Sequence, residues 1–336
     1  MPDELRHDGN SFTALRWILA SSVMISHGWD LTQYARGLDP TVAILSFPIS
    51  RLAVFLFFAL SGFLVTGSLF KRGVASFIKA RALRLLPGLW VMLLVVPLLL
   101  WLVFGTIRFG EFISSPSTLR FVWRNALLLG GHYSLPGVFE SHPLPGVVNG
   151  SLWTIPQEVR CYVALALMAV IGLTVPRTRL TAAILSAFLL HLLLPEIGSY
   201  FDRLRELAFC FFLGVLAWLW REKLMLSWPL AVALVFLALC VPDDAHPKLL
   251  LTQLAFSYLV LVAAFLAPSG LKAFSARMPD YSYGIYIYAF PAQQAALAMG
   301  ATDPLVNIAA AFAMTLPLAA LSWHLIESPA LALKSG

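Results

Sequence analysis

The sequence predicts an all-α bundle of about ten membrane-spanning helices, both termini cytoplasmic, organised as one membrane domain over residues 1–336. Three observations carry this expectation. Sixty per cent of the residues are hydrophobic and only 12% are charged, against about 25% charged in soluble domains; mean hydropathy is +0.82. Apolar runs near the length a bilayer requires, about 20 residues, recur along the whole chain. The 23 lysines and arginines are unevenly shared between the connections, thirteen on one side and seven on the other, with Arg16, Arg51 and Arg160 inside the runs. Basic short loops favour the cytoplasm, which places the N-terminus inside. The same distribution explains the net charge of +6 without nucleic acid, because the basic residues are spread over short loops.

The expected spans are 12–32, 48–70, 86–104, 150–173, 179–195, 204–220, 226–242, 249–268, 280–300 and 304–324. The first carries no clear cleavage site and is expected to remain as a span. Between the second and third, "KRGVASFIKARALRLLPGLW" (71–90) reads as an amphipathic inner-surface helix ending at Pro87, since proline interrupts the helical ladder. The longest connection, 105–149, contains an amphipathic piece, "LRFVWRNALLL", and then "GGHYSLPGVFESHPLPG", whose glycines and prolines break regular structure. Cys161, Cys210 and Cys240 lie in apolar stretches without metal-type spacing and are expected to act as small core hydrophobes. Neither an internal repeat nor a fused soluble domain is evident, and no metal is expected.

Ionisable residues inside the runs are the chemical signal. Arg16 and His27 are eleven residues apart in "LRWILASSVMISHG"; at 100° per residue they share one helix face, about 16 Å apart along the axis. Singly, Arg16 could snorkel to the headgroups and His27 could be a hydrogen-bonded packing residue. Together on one face they point to a bundle interior or wet cavity. In "NGSLWTIPQEVRCYV", Glu158 lies about two turns below the outer end of its span, at a depth close to that of His27. A carboxylate there requires a partner. Arg160, two residues on, does not face it, so a histidine or arginine of another span is expected to meet it. Ser61-Gly62 in "SRLAVFLFFALSGFLVTG" reads either as a close helix-packing contact or as a polar, narrow wall along a ligand path. Arg81 and Arg84 share a face and read either as contacts to anionic headgroups or as a site for a phosphate-bearing ligand.

Taken in order, these stretches resemble the integral-membrane acyltransferase family 3, which contains O-acetyltransferases of bacterial surface polysaccharides. The resemblance rests on Arg16 with His27, "FFALSGFL" (57–64), "KARALRLLP" (79–87), "GSLWTIPQEVRCY" (150–162), "DYSYGIYIYAFP" (280–291) and "HLIESPA" (324–330). One departure is Ala289, where the family often has histidine before Phe-Pro.

The resemblance implies a cytoplasmic acyl-CoA donor, most often acetyl-CoA, and a hydroxyl acceptor on an extracytoplasmic envelope glycan such as lipopolysaccharide O-antigen. The protein would lie in the bacterial inner membrane. Arg16, Arg81 and Arg84 are then expected to bind the donor phosphates, and Ser61 and Gly62 to line the pantetheine path. His27 is expected as general base, oriented by Glu158, with Arg51 or Arg160 offsetting oxyanion charge. Acceptor choice is expected in 105–149, with His132, Tyr133, Glu140 and His142. The alternative is a carrier or translocase for a lipid-linked sugar or small anion, which equally buries arginine, histidine and glutamate.

Overall fold

The computed structural model describes residues 9–32, 39–195, 198–242 and 247–335. Arg6 and Arg36 of the charge asymmetry lie outside the described residues. Regular structure among the described residues is helical, with one isolated bridge between Ser134 and Val147. The helices are α1 Phe12–Thr32, α2 Val42–Leu45, α3 Ile49–Phe104, α4 Phe109–Ser114, α5 Pro116–Ala126, α6 Thr154–Val170, α7 Arg177–Leu193, α8 Ser199–Leu219, α9 Trp228–Cys240, α10 Pro247–Phe265, α11 Ser269–Arg277, α12 Ser282–Ala298, α13 Pro304–Ser322 and α14 Ser328–Ala332. Three helical stretches are long and apolar enough to cross a membrane: Ile49–Phe104, Lys248–Phe265 and Pro304–Ala332.

Every expected span coincides with a helix, the second lying before and the third after a break in α3, with the expected inner-surface segment continuous with the third. α3 runs for 56 residues and is broken only at Gly73, where φ is 78° and ψ 173°. Glycine alone enters that region without steric cost. The expected stop at Pro87 does not occur. Gly88 lies directly against the Tyr283 and Glu327 side chains, and packing by neighbouring helices carries the backbone through the proline. Cys161 and Cys210 are buried as expected, whereas Cys240 is exposed at the end of α9.

Small residues bring the long helices together. A methyl group on Gly62 would clash with the Phe211 carbonyl oxygen, and one on Gly214 would clash with that of Ala59. α3 and α8 are therefore in backbone contact on both sides of one seam, the packing mode of apolar bundles. On the opposite side, α1, α12 and α13 are joined by buried amides. Gln293 Nε2 donates to the Met24 carbonyl at 2.7 Å, and Asn307 Nδ2 donates to that of Gln293 at 3.0 Å. α13 begins at Asp303, whose carboxylate accepts from the Leu305 and Val306 amides, with proline at the first helical position.

The connection 105–149 folds over one end of this bundle. Asn125 Nδ2 donates to the His132 carbonyl at 2.8 Å, and Asn149 Nδ2 donates to that of Ile287 at 2.8 Å. Asn149 is fully buried, so the Asn-Gly-Ser triplet is a structural tie. Gly62→Ala should lower stability by about 1–3 kcal/mol through overpacking, seen as a lower melting temperature in detergent; an unchanged melting temperature would contradict the α3–α8 contact.

Candidate functional site

Two of the cavities in the bundle share a wall, and Val54 and Tyr286 line both. The first is polar at one end. Arg16 on α1 and Arg81 and Arg84 on α3 line it, together with Ser61, Glu158 and Tyr162. Burying arginines requires counter-charge, and the fold supplies it from segments far away in sequence. Asp280, in the turn before α12, accepts from Arg16 Nη2 at 2.9 Å and from Arg84 Nη2 at 2.8 Å. Arg84 Nη1 also reaches Glu327 at 3.2 Å. Glu327 is 1% exposed and accepts from the Ser322 hydroxyl at 2.9 Å. A π-helical turn, Trp323–Glu327, presents it there, in keeping with the concentration of such turns at functional sites.

Arg81 differs from its neighbours. It forms no ion pair among the described residues; its guanidinium lies 6.0 Å from the Tyr162 ring centre, and its Nε is buried without a hydrogen-bond partner. Lys334, in the final turn beside α3, joins this basic group. Burial, and then the fields of Arg81, Arg84, Arg72 and Arg16, push its ammonium down to about 8. One end of the cavity is thus a cationic basin only partly neutralised by Asp280 and Glu327, a chemistry suited to phosphate. Further along, the Ser61 hydroxyl donates to Glu158 Oε1 at 2.8 Å and lies 2.8 Å from the Tyr162 hydroxyl. Tyr162 donates a short hydrogen bond to the same carboxylate oxygen.

His27 lies in the second cavity, with Ser50, Arg51, Trp153 and Glu206 in its walls. Its Nδ1 is buried without a hydrogen-bond partner among the described residues, and its ring meets the Phe290 ring edge-on at 5.3 Å. The carboxylate whose field reaches it is Asp39. Asp39 accepts from Ser26 at 2.6 Å and from the amide and hydroxyl of Thr41 at 2.9 and 2.6 Å. Burial works against ionisation of Asp39, but these hydrogen bonds hold its carboxyl below the usual carboxylate range.

The expected residues therefore divide. Arg16, Ser61, Arg81, Arg84 and Glu158 share one cavity, while His27 and Arg51 share the other. The expected pairing of Glu158 with His27 is not formed: the hydrogen bonds of Glu158 go to Ser61 and Tyr162, because its helix azimuth turns it towards α3. Gly62 faces the α8 backbone and not the cavity. Arg160 lines neither cavity; it donates to Gln157 at 3.0 Å and lies over Tyr200 at 5.3 Å. Arg51 is paired with Glu206 at 2.7 Å.

In the 105–149 connection, His132 bonds Ser117, Tyr133 accepts from the Gly131 amide, Glu140 accepts from the Gly137 amide, and His142 bonds Gln294. None of the four lines the His27 cavity. The sequence reading missed Asp280, Glu327, Asp39 and Glu206 as partners. The available signal was the requirement of buried arginines for acids, which identifies the need without naming the acid. Among the described residues, no group of three His, Cys, Asp or Glu could hold a metal ion.

A helical bundle with apolar spans and an internal cavity lined by arginines defines a class: membrane proteins with an internal polar site. The family model described as "Acyltransferase domain" (Acyl_transf_3) matches residues 10–324, so the chain belongs to that family and is an acyltransferase. It is 26% identical over 341 residues to the "O-acetyl transferase" of Shigella phage Sf6, covering 96% of each chain. It is 27% identical over 365 residues to "Nodulation protein 10" of Rhizobium leguminosarum bv. viciae, covering 97% of this chain and 94% of that one. No solved structure gives a significant match. Family membership sets aside the carrier alternative.

Asp280→Asn should leave Arg16 and Arg84 without their shared acid. The three side chains are 15–27% exposed, so losing their charge-assisted hydrogen bonds should cost about 1.5–3 kcal/mol and the melting temperature should fall below that of a surface Asp→Asn control; equal stability would show that Asp280 does not hold the two arginines.

Proposed function

We propose that this protein is an inner-membrane O-acetyltransferase with about ten spans and cytoplasmic termini, acting as a single membrane domain. It moves an acetyl group from cytoplasmic acetyl-CoA to a hydroxyl of an extracytoplasmic envelope glycan such as lipopolysaccharide O-antigen. The observation that carries this reading is the pair of cavities sharing the Tyr286 wall, one ending in the Arg16, Arg81 and Arg84 basin and the other holding His27. The printed names of the two relatives, an O-acetyl transferase and a nodulation protein, agree with it.

In the proposed reaction Arg81 and Lys334 hold donor phosphates, with Arg16 and Arg84 fixed behind them by Asp280. Ser61, Glu158 and Tyr162 form a polar collar along the path of the pantetheine arm. The acceptor hydroxyl attacks the thioester carbonyl as His27 takes its proton; the new C–O bond forms, the C–S bond breaks, and the proton passes from His27 to the leaving thiolate. Arg51 offsets the developing oxyanion charge, a role that requires it to share its guanidinium with Glu206. Glu158 supports the donor side and Asp39 the histidine side.

Two outcomes test this assignment. His27→Ala should reduce acetyl transfer by at least 100-fold, within the usual range for a general base, while acetyl-CoA binding is retained; normal transfer by a folded His27→Ala protein would contradict it. Lys334 is protonated below about 8 and loses its charge as pH rises through that value. The KM for acetyl-CoA should therefore climb between pH 7 and 9, and Lys334→Arg should flatten the climb; identical pH profiles would remove Lys334 from the donor site.

A further inference from the structure

The His27 cavity, about 440 Å³, is the larger of the two and is of a size that takes a small ligand. Its far wall comes from the first turns of α8: Asp202, Arg203, Glu206 and Leu207. Asp202 and Glu206 are four residues apart and share a helix face. Trp153, on the 3₁₀ turn before α6, also lines the cavity. The Arg203 guanidinium covers the Trp153 ring at 5.6 Å. Arg203 is exposed and forms no ion pair among the described residues.

The charges that line this wall sum to zero, Arg51 and Arg203 against Asp202 and Glu206, although Arg203 itself is in no ion pair among the described residues. Arg51 is neutralised by Glu206 at 2.7 Å, and Asp202 by Arg205 at 2.7 Å. Such paired groups still present both donors and acceptors to a ligand. A hydroxyl-rich ligand uses both kinds, since each hydroxyl donates to a carboxylate and accepts from a guanidinium. An anionic ligand could meet Arg203, but it would lie against the Asp202 and Glu206 carboxylates of the same wall.

We infer that the outer turns of α8, with Trp153, form an acceptor subsite for a neutral sugar: the apolar C–H face of the ring stacks on the Trp153 indole, and Arg203, Asp202 and Glu206 hold its hydroxyl edge beside His27. This inference rests on the acetyltransferase reading above and deepens it. It moves acceptor choice from the 105–149 connection, which contributes nothing to this wall, to α8. It also narrows the acceptor to uncharged residues of a glycan, excluding uronic, sialic and phosphorylated sugars from the subsite.

The test uses the full-length protein in lipid with radiolabelled acetyl-CoA and an envelope-polysaccharide extract divided by anion exchange into neutral and acidic fractions. The subsite predicts label in the neutral fraction at a tenfold or greater excess over the acidic one. Arg203→Ala and Glu206→Gln should each raise the apparent KM for the neutral fraction at least fivefold, with the acetyl-CoA KM held within twofold. Arg203 is exposed, so its variant remains informative if changes at Trp153 disturb folding. Label confined to the acidic fraction, or an unchanged glycan KM in both variants, overturns the subsite while the acetyltransferase reading stands. Absence of label in both fractions with unmutated protein overturns that reading, and the subsite with it.

Discussion

Asp280 held between Arg16 and Arg84 is the interaction on which the rest of the site depends. The acid is brought by the turn before α12, one arginine by α1 and the other by α3. Glu327 extends the cluster to the end of α13. Four distant parts of the chain therefore meet at one group of charges. Ions taken out of water are stable only when paired and hydrogen-bonded, so no one of these segments can settle at the site without the others. Among the described residues the arrangement leaves Arg81 without an acid of its own, and the cavity acquires a net positive end through the pairing of its neighbours.

The two cavities give the fold a division of labour. The cationic end suits phosphates, while the His27 end carries balanced charge and an aromatic wall. The Tyr286 hydroxyl is fixed to Thr154 at 2.6 Å and to the Ser151 carbonyl at 3.0 Å, so the wall between the cavities is tied to the turn that carries Trp153. In the proposed reaction this wall is where donor and acceptor meet. The backbone contact between α3 and α8 at Gly62 and Gly214 supports both sides at once, because α3 carries Ser61 and Arg51 while α8 carries Glu206. A shift of α8 against α3 would move the acceptor wall relative to the donor collar.

Much of the fold was legible in the sequence, because a 20-residue apolar run has few alternatives to a helix in a bilayer. The inner-surface segment was misread as separate because Pro87 looks like a stop; packing at Gly88 carries α3 through it. The arginines and His27 stood out because charge is costly in an apolar run. Their partners did not. Glu158 and His27 have similar depths, but depth along two helices says nothing of the azimuth that turns Glu158 to Ser61. Gly62 is the same residue type whether it faces a helix or a ligand path, and only tertiary structure separates the two. The α8 wall was hidden because Arg203 and Arg205 read as loop charges, and their roles depend on Trp153 and Asp202.

The most direct test of the account is sidedness. Inside-out membrane vesicles containing the protein, with envelope glycan in the lumen, would receive labelled acetyl-CoA from outside, at the face that is cytoplasmic in the cell. The account predicts labelled glycan in the lumen, and no label when the donor is confined to the lumen instead. Equal labelling from either side, or labelling only with lumenal donor, would contradict an arrangement in which the arginine basin faces the cytoplasm and His27 faces the acceptor.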